Sequence, residues 1–165
     1  MNALVFSVPG NEAAAEALAA ELGAEAGRAE VRQFPDGEWY VRIDSEVSGC
    51  GALVVASLDH PDRRVLAAYF VAATARDLGA TRVGLVAPYL AYMRQDRRFR
   101  SGEGVTSTYF GRLISGTFDW LVTVDPHLHR RASLGEIYTI PTRVVHAAPL
   151  VSKWIADNVA MPLII

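Results

Sequence analysis

One segment of seven residues contains four arginines, namely Arg94, Arg97, Arg98 and Arg100. Guanidinium groups this close together repel one another unless an anion or carboxylates lie nearby. A polyphosphate is their natural partner, because its oxygens accept bidentate hydrogen bonds. A charged loop that is merely solvated would have the same composition. The segment is therefore a candidate phosphate-binding loop.

A carboxylate and two imidazoles lie at alternate positions in Asp125, His127 and His129. They could hold a divalent metal ion, or a histidine could donate a hydrogen bond to a phosphate. Surface histidines after a strand are the plainer alternative. A closed structural zinc site is not expected, because it needs four ligands and the chain has a single cysteine, Cys50.

The third candidate is the tight segment 34–38, which contains Phe34, Asp36, Gly37 and Glu38. The glycine permits a turn, and the two carboxylates could accept hydrogen bonds from a base or a sugar. An ordinary hairpin turn would use the same residues, so this segment alone does not distinguish a binding site from a turn.

Buried strands alternate with helices along the chain. The apolar runs that predict strands are residues 3–8, 51–57, 82–87 and 119–124, and helical patterns cover 12–22, a stretch from Pro61 to Gly79, about 106–115 and 147–158. Asn11 is the predicted N-cap of the first helix, and Gly23 is its predicted C-terminal glycine. The alternation predicts an α/β fold in one domain over residues 1–165, with a mostly parallel sheet and helices on both faces.

Two alternating strands, 29–34 and 39–44, flank Pro35-Asp36-Gly37 and predict a β-hairpin. The apolar residues 162–165 predict the start of a further strand. Because an unpaired apolar strand at the end of a domain would be a liability, the chain is expected to be a fragment of something longer.

Two of the candidate segments directly follow predicted parallel strands. The polar, arginine-rich loop 89–104 follows strand 82–87, and residues 125–129 follow strand 119–124. Ligands of doubly wound sheets bind beyond the carboxyl ends of the strands, so position favours a binding role for both segments.

Charge is distributed unevenly along the 165 residues, although the net charge is only −2. Residues 1–62 carry a net −8 and residues 63–131 a net +6, and 15 of the 16 basic residues are arginines. The small net charge argues against a generally basic nucleic-acid-binding protein. Familiar nucleotide motifs are also missing: there is no Gly-x-x-x-x-Gly-Lys-Ser/Thr, and Gly49-Cys50-Gly51 precedes a strand instead of following one.

The apolar runs are too short for a membrane helix, since stretches such as 65–75 fall well below the roughly 18 residues that one needs. No targeting segment is visible at the N-terminus. Cys50 cannot form an internal disulfide, which fits a reducing compartment, and it is expected to be a small buried residue. The sequence therefore predicts a soluble, cytoplasmic protein.

In order and spacing, the three candidate segments resemble the N-terminal half of ribose-phosphate diphosphokinase, the enzyme family that makes phosphoribosyl pyrophosphate. The resemblance is carried by residues 34–38 (FPDGE), 87–97 (APYLAYMRQDR) and 122–127 (VTVDPH), and it covers essentially the whole chain. Pro126 replaces a leucine that is common in the main bacterial form. This residue and the stretch 99–106 make the chain look closer to the archaeal-type enzymes.

The resemblance implies transfer of the β,γ-pyrophosphoryl group of ATP to the C1 hydroxyl of ribose 5-phosphate, with release of AMP and with Mg²⁺ bridging the phosphates. By similarity, the ATP-binding residues are Phe34, Asp36, Gly37, Glu38, Arg94, Gln95, Asp96 and Arg97. Residues 36–38 would approach adenine, and Arg94 would contact the phosphates. His127 would stand at the metal and phosphate end as a metal ligand, and His127 and Arg94 would be catalytic. The family's ATP site is shared between subunits, which implies a homo-oligomer.

The family's chain is much longer than this one. In the family, the second half of the chain holds a ribose 5-phosphate loop with two adjacent acids and a further metal-binding carboxylate. The 165 residues of this chain contain neither. The isolated segment is therefore expected to lack the sugar-phosphate site. Two alternatives remain open at this point: a non-catalytic relative that binds nucleotide or regulates a partner, and a phosphoribosyltransferase-related protein, whose hallmark is that same pair of adjacent acids.

Overall fold

The structure, a computed structural model, describes residues 2–163. The described residues form eight strands: β1 (Ala3–Ser7), β2 (Glu25–Ala26), β3 (Ala29–Gln33), β4 (Trp39–Ile43), β5 (Gly51–Val55), β6 (Arg82–Ala87), β7 (Trp120–Val124) and β8 (Thr142–Val145). The helices are α1 (Glu12–Leu22), α2 (Pro61–Asp77), α3 (Thr106–Thr117) and α4 (Ala148–Asn158), and a short 3-10 turn covers Leu134–Glu136. No helix among these residues is both long and apolar enough to cross a membrane.

Six strands form one sheet in the order β2-β1-β5-β6-β7-β8, and every neighbouring pair in it is parallel. The other two strands, β3 and β4, pair antiparallel as a hairpin. The predicted parallel sheet and the predicted hairpin are both confirmed.

The sheet is covered on both faces because successive side chains of its buried strands point to opposite sides. The larger core lies on one face, where α2, α3 and the hairpin pack on the sheet; its strand residues include Leu4, Phe6, Val54, Leu85 and Leu121. On the other face, Val5 and Val55 pack against Ala15 and Ala19 of α1. Helices on both faces are therefore confirmed.

Of the two predicted ends of α1, one needs correction. Asn11 precedes α1 as predicted, but its side chain does not cap that helix. Its Oδ1 instead accepts a hydrogen bond from the backbone N–H of Ser57 at 2.7 Å, which joins the loops after β1 and β5. Gly23 ends α1 in the left-handed conformation (φ 60°), as predicted.

Two sheet strands have no counterpart among the predicted strands, namely the two-residue β2 and the edge strand β8. Cys50 is buried, as expected. The strand predicted at 162–165 includes Ile164 and Ile165, which lie outside the described residues.

We predict that Gly84→Ala lowers stability by about 1–3 kcal/mol, because it forces a side chain into an already filled space. Gly84 of β6 pairs with Trp120 of β7, and a Cβ atom at Gly84 would overlap the carbons of the indole ring. Urea unfolding followed by circular dichroism measures the change.

Gly116→Ala in α3 is the matched control, because a Cβ atom there meets open space. This helical substitution should stabilise the protein by about 0.5–1 kcal/mol. Equal changes in the free energy of unfolding for the two variants would show that the indole ring of Trp120 does not require glycine at position 84.

Candidate functional site

One pocket of about 500 Å³ lies beyond the carboxyl ends of β6 and β7. It is lined by Tyr89, Leu90, Met93 and Arg94 after β6, and by Val124, Asp125, Pro126, His127, Leu128 and His129 at the end of β7 and beyond. The structure thus brings Arg94 and His127, which are 33 positions apart in the sequence, to one site. Gln95, Asp96 and Arg97 do not line this pocket.

The segment after β6 is anchored by its apolar residues. Leu90 and Met93 are 4% and 1% exposed and belong to the main core. The buried hydroxyl of Tyr138 donates a hydrogen bond to the sulfur of Met93 at 3.8 Å. Arg94, the next residue along the chain, is exposed and makes no hydrogen bond or ion pair with any described residue. Its guanidinium is therefore available to a ligand in the pocket.

Asp96 is held inside this loop instead of facing solvent. Its side chain is only 2% exposed, and its Oδ1 lies 3.2 Å from Nη1 of Arg130. Burial alone would raise the pKa of Asp96, but the hydrogen bond and the charge of Arg130 outweigh burial and hold that pKa below its ordinary value. The Asp96 carboxylate therefore pairs with Arg130 in this structure, and its contact with ATP stays a prediction.

Glu103 orders the other end of the arginine loop. Its carboxylate accepts hydrogen bonds from the backbone N–H groups of Phe99 (2.7 Å) and Arg100 (3.0 Å). Its carbonyl oxygen accepts one from Nε of Arg98 at 2.9 Å. Glu103 thus orders residues 98–100, mainly through their backbone.

The carboxylate of Asp125 is also occupied. It accepts a hydrogen bond from the Ala147 backbone N–H at 3.0 Å, and its other oxygen lies 2.8 Å from Nδ1 of His146. The Ala147 hydrogen bond first, and His146 second, lower the pKa of Asp125. Asp125 therefore joins the end of β7 to the residue that precedes α4.

The imidazole rings of His127 and His129 lie 5.9 Å apart between centroids, and both line the pocket. No group of three or more His, Cys, Asp or Glu side chains able to hold a metal ion occurs among residues 2–163. The three-ligand site considered for Asp125, His127 and His129 is therefore not assembled, because Asp125 turns to Ala147 and His146. The single-ligand role of His127 stays a prediction.

The hairpin tip is exposed and internally ordered. Gly37 has a φ of 93°, which favours glycine, and its N–H donates to the Phe34 carbonyl at 2.9 Å. The guanidinium carbon of Arg32 lies 4.9 Å from the centroid of the Phe34 ring and 4.5 Å from that of Tyr40. The Phe34 ring, 40% exposed, is therefore held in place while part of it stays accessible.

Within the described part of the chain, no hydrogen bond, ion pair or aromatic contact joins Phe34, Asp36, Gly37 or Glu38 to the pocket that Arg94 lines. The structure therefore brings together two of the three predicted segments and leaves the hairpin outside that pocket.

Sequence analysis missed two residues that organise the site, Arg130 and Arg131. Nη2 of Arg131 donates to the carbonyl oxygen of Asp96 at 3.2 Å, and Arg130 pairs with the Asp96 carboxylate. The only signal available was an adjacent arginine pair shortly after His127 and His129. Such a pair is indistinguishable from solvated charge until its partners in the fold are known.

A sequence model described as the N-terminal domain of ribose phosphate pyrophosphokinase matches residues 3–117. The chain is 40% identical over 142 residues to the ribose-phosphate pyrophosphokinase of Methanopyrus kandleri, covering 86% of this chain and 47% of that protein. It is 33% identical over 154 residues to the enzyme of the same name from Saccharolobus solfataricus, covering 91% and 51% respectively.

The ribose-phosphate pyrophosphokinase of Staphylococcus aureus is 28% identical over 156 residues, covering 93% of this chain and 48% of that protein. The higher identity to the two archaeal proteins confirms the predicted resemblance to the archaeal type. The chain spans about half the length of the curated relatives that it matches.

Among solved structures, the crystal structure of phosphoribosylpyrophosphate synthetase from Mycobacterium smegmatis superposes with a TM-score of 0.85. That alignment covers 96% of this chain and 53% of that one at 24% identity, so the likeness concerns the fold.

We predict that the Ala147 amide titrates with the Asp125 carboxyl at a pH below about 3.9, the ordinary value for aspartate. Because the pKa of Asp125 is lowered in the folded chain, its contacts with Ala147 and His146 are intact above that value. They are lost as the pH falls through the lower, folded pKa. Two-dimensional NMR of the Ala147 amide between pH 2 and 6 follows the change.

Asp125→Asn is the control for this titration, because it keeps the shape of the side chain and removes the ionisable group. The Ala147 amide of that variant should show no such step. A step in the unsubstituted chain at or above the ordinary aspartate pKa would contradict the assignment.

Proposed function

The chain belongs to the ribose phosphate pyrophosphokinase family, and from that membership we propose that it forms the ATP-binding part of an enzyme that makes phosphoribosyl pyrophosphate. In the proposed reaction, the C1 hydroxyl oxygen of ribose 5-phosphate bonds to the β-phosphorus of ATP. The bond from that phosphorus to the α,β-bridging oxygen breaks, AMP leaves, and the hydroxyl proton is lost.

The observation that carries the proposal is the pocket in which the unpaired guanidinium of Arg94 and the imidazole of His127 lie together. Phosphoryl-type transfers are catalysed mainly by positioning and by cations placed where charge develops on the phosphate oxygens. Arg94 supplies such a cation at the carboxyl edge of the sheet, where α/β proteins bind their ligands. In this proposal Arg94 binds the phosphates of ATP, with Gln95 and Arg97 as neighbouring contacts.

Mg²⁺ is the proposed metal, and it would supply charge neutralisation across the phosphates of bound ATP. Mg²⁺ usually keeps several waters and is held by substrate phosphates plus one or two protein ligands, so it does not need a complete protein cage. The absence of a three-ligand cluster among residues 2–163 is compatible with that mode of binding. We propose His127 as the protein group at the metal and phosphate end.

A homo-oligomer is the proposed assembly, with the hairpin of one copy completing the ATP site of another. The tip residues Phe34, Asp36 and Glu38 are exposed, and within residues 2–163 no hydrogen bond, ion pair or aromatic contact joins them to their own chain's pocket. The partly accessible Phe34 ring suits stacking on adenine, and the carboxylates suit hydrogen bonds from the amino and hydroxyl groups of the nucleoside.

The sugar phosphate is proposed to bind outside these residues, because residues 1–165 contain no pair of adjacent acids. A reducing, cytoplasmic location is likewise a proposal, based on the single buried cysteine.

We predict that the chain binds Mg²⁺-ATP in preference to Mg²⁺-GTP, and that Arg94→Ala weakens ATP binding by about 10- to 100-fold through loss of a charge-assisted contact with phosphate. Isothermal titration calorimetry measures both affinities. Arg143→Ala is the matched control, because Arg143 is exposed on β8 and makes no hydrogen bond or ion pair with a described residue. Equal affinities of the Arg94 and Arg143 variants would reject the assigned role of Arg94.

We predict that a hairpin variant and a pocket variant complement each other. Phe34→Ala and Arg94→Ala chains carrying different affinity tags are co-expressed, and mixed oligomers are isolated by two successive tags. Each mixed pair should regain one intact site, so about half of the wild-type ATP stoichiometry is expected in a symmetric dimer.

Oligomers of either variant alone should lack tight ATP sites. Mixed oligomers that bind ATP no better than these would contradict a site shared between two copies.

A further inference from the structure

Arg131 joins three segments of the fold, one of which directly follows the pocket residue Arg94. Its side chain is 14% exposed. Its Nη2 donates to the Asp96 carbonyl oxygen at 3.2 Å in the arginine loop and to the Ser107 hydroxyl at 3.1 Å at the start of α3. Its Nη1 lies 3.6 Å from Oε2 of Glu136 in the short 3-10 turn.

Arg130, the preceding residue, strengthens the same junction. Its Nη1 lies 3.2 and 3.3 Å from the two carboxylate oxygens of Asp96. Its guanidinium carbon also lies 5.3 Å from the centroid of the Phe99 ring, further along the arginine loop. The two arginines therefore fasten both the backbone and the side chain of Asp96 to the segment that carries His127.

We propose that Arg131 is a positioning residue, which fixes the Arg94 segment relative to the His127 segment. The proposal rests on the proposed ATP site, because Arg94 and His127 are the groups placed by this junction. Arg131 itself does not line the pocket. Its effect on a nucleotide would be exerted through Arg94.

The physical reason is the rigid fork of the guanidinium group. Arginine can donate to several acceptors at once in a fixed plane, whereas lysine presents one flexible ammonium group. Electrostatic repulsion drives the four closely spaced guanidinium groups of this loop apart. A site that binds a polyanion therefore benefits when the loop is already ordered before the ligand binds. Pre-positioning lets the free energy of ligand binding be used for binding instead of for ordering the loop.

Burial of the Arg131 guanidinium group costs desolvation free energy, which opposes folding. Its Nε is buried and has no hydrogen-bond partner among the described residues. Removing one partner of an ion pair is costly when it leaves a buried charge unpaired. The carboxylate with which Arg131 pairs, that of Glu136, is 41% exposed and can be hydrated when Arg131 is removed. Arg131→Met should therefore release the loop without unfolding the chain, which separates a positioning role from a purely structural one.

The first test is amide hydrogen exchange of the Arg131→Met chain, without any nucleotide. Amides of residues 95–100 should exchange at least about tenfold faster than in the unsubstituted chain, as expected for local opening, while amides of β5 and β6 keep their rates. Arg143→Met is the matched control and should change neither group. Unchanged exchange in the loop, or an equal acceleration in β5 and β6, would overturn the proposal.

The second test is a double-variant cycle read out by the ATP affinity. Arg131→Met should weaken ATP binding by about tenfold in the unsubstituted chain and by less than about twofold in the Arg94→Ala chain, because coupled residues are not additive. Arg131→Lys should recover only part of the affinity. Equal losses in both backgrounds would show that Arg131 does not act through Arg94.

Ser107→Ala provides the same tests if Arg131→Met fails to fold, because it removes the hydroxyl that accepts from Nη2 of Arg131 and leaves every charge in place. It should accelerate exchange in the same loop, and unchanged rates in a folded Ser107→Ala chain would count against the junction. If the unsubstituted chain shows no ATP binding, the proposed function and the use of Arg131 for it are rejected. The exchange rates then decide alone whether Arg131 fixes the loop.

Discussion

The parallel pairing of β6 with β7 is the constraint on which the site depends. Their register runs from Gly84 opposite Trp120 to Ala87 opposite Thr123, so the two strands reach the same edge of the sheet together. The loop that carries Arg94 and the loop that carries His127 start from that edge. Their proximity is a consequence of strand pairing, which in turn requires Gly84 to leave room for the indole ring of Trp120.

The ordering of the arginine loop is the second constraint. Glu103 holds one end of the loop by accepting the backbone N–H groups of Phe99 and Arg100, and Asp96 holds the other end by pairing with Arg130. Neither carboxylate pairs with a guanidinium group of residues 94–100. The fold thus orders the loop through its backbone and through Arg130, and the positive charge of the loop stays available to an anionic ligand.

The sequence patterns predicted the central strands because β1, β5, β6 and β7 are continuous apolar runs, as expected for strands buried on both faces. β8 was missed for the opposite reason. It is an edge strand in which half-buried and exposed residues alternate, and it includes the charged Arg143. The strand is recognised by its pairing with β7, because its composition lacks a continuous apolar run. β2 is too short to leave a pattern.

The same distinction applies to the candidate site. Arg94 and His127 belong to recognisable motifs that follow strong strands, and the structure places both at one pocket. Arg131 has its partners 24 and 35 positions earlier in the chain. Those contacts exist only once β7 lies beside β6 and α3 packs across them.

The hairpin lies apart from this pocket. Its body, including Val41 and Ile43, packs against the core, and within residues 2–163 no hydrogen bond, ion pair or aromatic contact joins its tip to the pocket. In the proposed homo-oligomer, the acidic tip of one copy and the arginine loop of another carry opposite charge, so electrostatic attraction would favour their encounter.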